Sequence, residues 1–186
     1  AACGLLGDMT LQAWHFEEAL NFFERCLALG STQLADQIGR ELATARLEQR
    51  APRRSGDWGE PQTIRDFDAL GHLANELGEF KAADAAFAET VRRDPDRFVW
   101  RWHRAIQFNR TGRLREAAQD LAILRVKQPT NLQVILRMIR SLNGLQRHAE
   151  AMELARLGLE LHPEDVELSV LAAELLGHFE RREEES

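Results

Sequence analysis

Apolar residues recur at helical spacing through most of this chain, and short polar breaks interrupt them at regular distances. From Ile64 to Arg97 the stripe Leu70, Leu73, Ala74 and Leu77 lies on one face of a predicted helix. Gly78 breaks it. A second stripe, Ala83, Ala86, Phe87 and Val91, predicts a helix from about Phe80 to Arg92. Asp94-Pro95 closes the segment, because proline cannot extend a helix. The plan returns over Phe98–Asn131, with Ala105 and Phe108, a break at Gly112, then Leu114, Ala117, Leu121 and Leu124, and a stop at Pro129. It returns again over Leu132–Asp165, with Met138, Ile139 and Leu142, then Ala151, Leu154, Ala155 and Pro163. Pro95, Pro129 and Pro163 stand 34 residues apart, as do Ala83, Ala117 and Ala151, and Asn75, Asn109 and Asn143. A fixed period of this size means stacked supersecondary units rather than one closed core.

Val166 to about Arg182 predicts one more helix, whose Leu168, Leu171, Ala172, Leu175 and Leu176 would cover the last unit. Ahead of the array the pattern loosens. Leu6-Gly7, Phe16, Ala19, Phe23 and Cys26 fall where Leu70-Gly71, Phe80, Ala83, Phe87 and Thr90 fall, so residues 1–29 read as a further unit with a clipped start. Leu34 to about Gln49 predicts a helix carrying Ile38, Leu42, Ala45 and Leu47. The two prolines and two glycines of Ala51–Pro61 forbid regular structure there. That segment is a loop between helical blocks, with Trp58 tucking it down.

A 34-residue helix–turn–helix with these residues resembles the tetratricopeptide repeat (TPR). Leu70-Gly71, Gly78, Phe80, Ala83, Phe87 and Pro95 match its pattern closely, and Gly112, Leu114, Ala117, Leu121 and Pro129 follow it. In the third unit Ala151 and Pro163 match, but Gln146 replaces the turn glycine and His148 the large apolar residue. Small residues at Gly71 and Ala83 let the two helices approach closely. The resemblance implies an all-α, right-handed α-solenoid with a capping helix. Residues 1–50 would be an irregular TPR-like block and 51–61 a loop. Residues 62–186 would be the array, with units 64–97, 98–131 and 132–165 and the cap 166–182.

Composition narrows the function classes. Hydrophobic residues make up 44% and charged residues 29% of the 186, and Ala, Leu, Glu and Arg favour helix. No apolar run approaches the ~20 residues of a membrane span. Cys3 and Cys26 have neither metal-ligand spacing nor a disulfide framework around them. The net charge of −6 is uneven: Val91–Arg147 holds 13 Lys+Arg against 4 Asp+Glu, a local +9, and the remainder, 11 against 26, is −15. No basic run is dense enough for nucleic acid, and the pI near 5.6 points the same way. The six histidines form no i, i+4 pair, and no phosphate loop or nucleophile motif occurs. The chain therefore reads as no enzyme and as needing no cofactor. Ala1-Ala2-Cys3-Gly4 lacks an initiator methionine and reads as part of a longer protein. A cytoplasmic location is expected, the alternative being a periplasmic protein lipid-anchored through Cys3. The Ala- and Arg-rich, tyrosine-free composition points to a bacterium.

The resemblance also implies where a partner binds. In TPR proteins the first helix of each unit, helix A, lines a concave groove, with positions 2, 5, 6, 9, 12 and 13 of the unit facing it. Three features stand out there. Asn75, Asn109 and Asn143 form a ladder whose amides can both donate to and accept from a peptide backbone. His103, Arg110, Arg137 and Arg140 make the middle basic and suited to carboxylates. Trp100 and Trp102 flank Arg101, so one of them is expected to point away from the core. His72 and Ile106 complete the predicted site. The carboxylate clamp of chaperone-binding TPR proteins is not expected, because its positions hold Asp68, His72, His103, Gln133 and Arg137, and only the last fits. The reading is a module that binds an extended or acidic segment of a protein partner. The alternatives are a self-associating homo-oligomeric scaffold, packing through residues such as Leu5 and Leu6, and the regulatory arm of a larger enzyme.

Overall fold

The computed structural model describes residues 15–53 and 58–184, with the side chains of the last helix described as far as residue 177. The expectations placed on Cys3, Leu5, Leu6, Gly7 and the His178 side chain lie outside these residues. Among the described residues every regular element is a helix: α1 Phe16–Ala28, α2 Leu34–Leu47, α3 Ile64–Glu76, α4 Phe80–Arg93, α5 Phe98–Arg110, α6 Leu114–Lys127, α7 Leu132–Gly144, α8 His148–Leu161 and α9 Val166–Glu184. Their contacts group into two units, Ala1–Asp96 and Arg97–Ser186.

In the first unit, α1 packs on α2 through Ala19, Phe23 and Ala43. Helices on either side of the Ala51–Pro61 segment share a core. Ile38 and Leu42 of α2 share one cluster with Leu73 of α3, and Trp58 packs against it. Polar groups fix how α2 and α3 lie. Asp66 accepts from the backbone N–H of Ala35 at 2.8 Å and of Thr63 at 2.8 Å, while the Thr63 hydroxyl accepts from Asp66 N–H. This capping box satisfies donors that a helix start leaves open. Arg65 reaches Asp36 at 3.1 Å beside it, and Arg46 pairs with Glu76 at the far ends. N-terminus meets N-terminus, so α2 and α3 run parallel. Helix α4 returns antiparallel to α3, with Ala74, Ala83 and Phe87 buried between them. Gly71 faces the Phe87 ring so closely that an added Cβ would sit 2.6–2.9 Å from it.

In the second unit, α5 pairs with α6 and α7 with α8. Ala105, Leu121, Leu124 and Val134 form one cluster. Ile135, Ile139, Leu142, Leu154 and Ala155 form another, which Leu168, Leu171, Ala172 and Leu175 of α9 cover. The first helix of each 34-residue unit ends alike. Residues 78, 112 and 146 take φ values of 73°, 72° and 59°, and the next N–H reaches back to the carbonyls of Ala74, Phe108 and Leu142. This left-handed closure suits glycine, yet Gln146 adopts it too. The Asp94, Gln128 and His162 C-caps are extended instead, at φ near −140°, ahead of each proline.

Candidate functional site

Helices α5, α7 and α9 are successive A helices of the second unit, and side chains join their edges. The Ser141 hydroxyl of α7 lies 2.9 Å from Asn109 Oδ1 of α5. Arg140 of α7 meets Glu167 of α9 at 2.5 Å. The expected residues lie on these helices: Trp102, His103, Ile106, Asn109 and Arg110 on α5, and Arg137, Arg140 and Asn143 on α7.

Their surroundings differ. His103 is buried, at 6% exposure, with Trp100 edge-on at 6.4 Å. Trp102 stacks on Phe98 at 6.2 Å and packs against the Ala105 cluster. Trp100 and Trp102 are both half-buried, so neither points wholly away from the core. Ile106 is half-buried as well. Arg140 is neutralised by Glu167 because parallel A helices bring position 9 of one unit beside position 2 of the next. Arg110 is exposed and Arg137 half-buried, and neither guanidinium has an ion pair among the described residues. Much of the local positive charge is spent inside the unit. Asp120, 3% exposed, takes Arg101 and Arg104 at 2.8 Å each, and Arg113 and Arg147 pair with Glu116 and Glu150.

The asparagine ladder turns inward. Asn109 Oδ1 is taken by Ser141, and its Nδ2 is buried without a hydrogen-bond partner. Asn143 Oδ1 accepts from His148 Nδ1 at 2.8 Å. His148, which replaces an apolar residue of the repeat, thereby anchors its own helix to α7. In the first unit Asn75 is 7% exposed, its Oδ1 without a partner. His72 there is half-buried, 3.7 Å from Asp68 and edge-on to Phe87 at 5.3 Å. The backbone carbonyls of all three asparagines accept the N–H of the left-handed turn residue.

Sequence reasoning missed Ser141, the pairing of Glu167 with Arg140, and the Asp120–Arg101–Arg104 cluster. The last left a signal: an aspartate at the repeat position of Ala86 and Leu154, with two arginines at the positions of Phe67 and Leu70.

No family model matches the sequence. No curated protein matches it either. Solved structures do. A thermophilic TPR protein of Thermus thermophilus, TTC0263, superposes with a TM-score of 0.64 at 16% identity, over 94% of this chain and 97% of that one. MamA of MSR-1 gives 0.62 at 15% identity, over 96% and 85%. The first TPR domain of Spaghetti (RPAP3), solved with the HSP90 peptide SRMEEVD, gives 0.57 at 18% identity, over 64% and 95%. The repeat, the helix pairs and these likenesses agree: the chain has the TPR fold, an all-α solenoid of helix–turn–helix units. No helix among the described residues is long and apolar enough to cross a membrane.

Proposed function

From its TPR fold, we propose that this protein is a non-catalytic interaction module that holds an extended, acidic segment of a partner protein along the A-helix row of its second unit. The observation that carries the reading is the pair Arg110 and Arg137, cations on that row with no ion pair among the described residues. A guanidinium fork matches a carboxylate in two parallel hydrogen bonds. Trp102 and Ile106 add apolar surface beside them. The Spaghetti domain and a second RPAP3 TPR domain were solved with acidic peptides of HSP90 and HSP70, which supports peptide binding as a use of this fold. Asp68 and the buried His103 stand at clamp positions of such domains, so the acidic segment is read through Arg110 and Arg137 instead.

The test is capture of binding proteins from source-cell lysate by wild type and by Arg110→Glu/Arg137→Glu. Loss of bound proteins in the variant supports the reading. Equal recovery by both sends the binding surface elsewhere.

A further inference from the structure

An apolar cleft of about 420 Å³ lies within the first unit, walled by Phe67, Leu70 and Ala74 of α3 and by Ala82 and Ala86 of α4. Pro61, from the segment ahead of α3, and Glu89 also line it. Four of these residues have counterparts at the same repeat positions, and there the space is filled. In the next repeat the residues are Arg101, Arg104, Phe108 and Asp120, and the aspartate draws both arginines in at 2.8 Å. In the one after they are Ile135, Met138, Leu142 and Leu154, a packed cluster in which Leu142 and Leu154 are 3% and 4% exposed. In the first, Ala74 and Ala86 stand where those leucines stand, and the smaller side chains leave the cleft open beside them. The chain itself therefore indicates what the cleft accepts.

The rim adds a charge preference. Arg93 lies over the Phe67 ring at 4.4 Å and Arg92 is largely exposed, while Glu89 is the acid paired with both among the described residues. That trio is net positive. Ala82, Ala85 and Ala86 on α4 allow a backbone to approach closely, and the walls are two antiparallel helices, a seat for a third. A helix lying in such a groove inserts residues at i, i+3, i+4 and i+7. We propose that this cleft docks an amphipathic helix of a partner protein, its leucine strip entering between α3 and α4 and its flanking acidic residues meeting Arg92 and Arg93. The site is independent of the A-helix row in the second unit.

The probe is a fluorescein-labelled 15-residue helical peptide of leucine, glutamate and alanine with leucines at that spacing, and a scrambled peptide of equal composition is the control. Anisotropy titrations use wild type, Ala86→Leu, Ala82→Glu, Arg92→Glu/Arg93→Glu and Arg110→Glu/Arg137→Glu. The expected result is at least tenfold weaker binding for Ala86→Leu with no fall in Tm, because the new side chain occupies the space Leu154 fills in its own repeat. Ala82→Glu, on an exposed wall, should lose affinity while staying folded. Reversal of Arg92 and Arg93 should weaken binding severalfold at low salt, and the Arg110/Arg137 variant should bind as wild type does. Equal affinity for Ala86→Leu and Ala82→Glu, or equal binding of the scrambled peptide, overturns the proposal. So does an anilinonaphthalene sulfonate signal lost in Ala86→Leu without any peptide binding, which marks a small-molecule cleft.

Discussion

Gln146 is the residue at which this chain departs most visibly from its own repeat. It occupies the left-handed turn that Gly78 and Gly112 occupy, at φ 59°. A non-glycine side chain there carries roughly 1–2 kcal/mol of strain. Gln146→Gly should relieve it, offset in part by the freer unfolded chain, for a net gain of about 0.5–1 kcal/mol in urea unfolding. A loss of stability would mean that the glutamine side chain makes a contact worth more than the strain. The opposite case is Gly71. A Cβ there would sit 2.6–2.9 Å from Phe87, so Gly71→Ala should cost about 1–3 kcal/mol by overpacking. The period of 34 aligns Gln146 with Gly78 and Gly112, and the resemblance to the TPR pattern marked Gly71 as a point of close helix approach. The inward turn of the asparagines was not legible in this way. A shared position fixes the backbone role of Asn75, Asn109 and Asn143, but the side-chain partners Ser141 and His148 stand at positions where the repeats differ.

At the scale of elements, helix pairs are held by what fills one recurring space between helices A and B. In the α5–α6 pair that filling is Asp120 with two arginines. Removing one member strands buried charge, so Asp120→Ala should destabilise by about 3–5 kcal/mol. The triple change Asp120→Leu/Arg101→Ile/Arg104→Met copies the filling of α7–α8 and should restore wild-type stability or exceed it, as read by thermal unfolding. Failure of the triple variant would show that the ion cluster is needed for correct pairing. Helix α4 offers a pH reading. Hydrogen bonds from Arg92 and then Arg93 hold the Glu89 carboxyl down to about 2. Its pairing is therefore intact above the ordinary carboxylate range and is lost only as pH falls through about 2. NMR titration of the Glu89 carboxyl should find that midpoint, and Arg92→Gln/Arg93→Gln should return it to the ordinary range near ~4.3. Element positions were readable because apolar stripes, turn glycines and prolines mark them directly. The tie between α2 and α3 was not readable, since the Ala35 N–H at the start of α2 finds its acceptor in Asp66, 31 residues later in the chain.

For the whole molecule, the period determined the architecture and left the partner to a few side chains. Of the local +9, ion pairs within the second unit absorb most of the A-helix cations, and Arg110 and Arg137 stand out only once those pairs are known. Composition could locate the basic segment but could not separate a cation in a brace from a cation facing solvent. The most direct measurement is therefore the affinity of wild type and Arg110→Glu/Arg137→Glu for a labelled pool of extended acidic nonapeptides, by fluorescence anisotropy across a salt series. Wild type should bind with an affinity that weakens with salt, and charge reversal should cost about tenfold or more, equivalent to ~1.4 kcal/mol. Binding of equal strength by both proteins, or none by wild type at low salt, would contradict acidic-segment binding through Arg110 and Arg137.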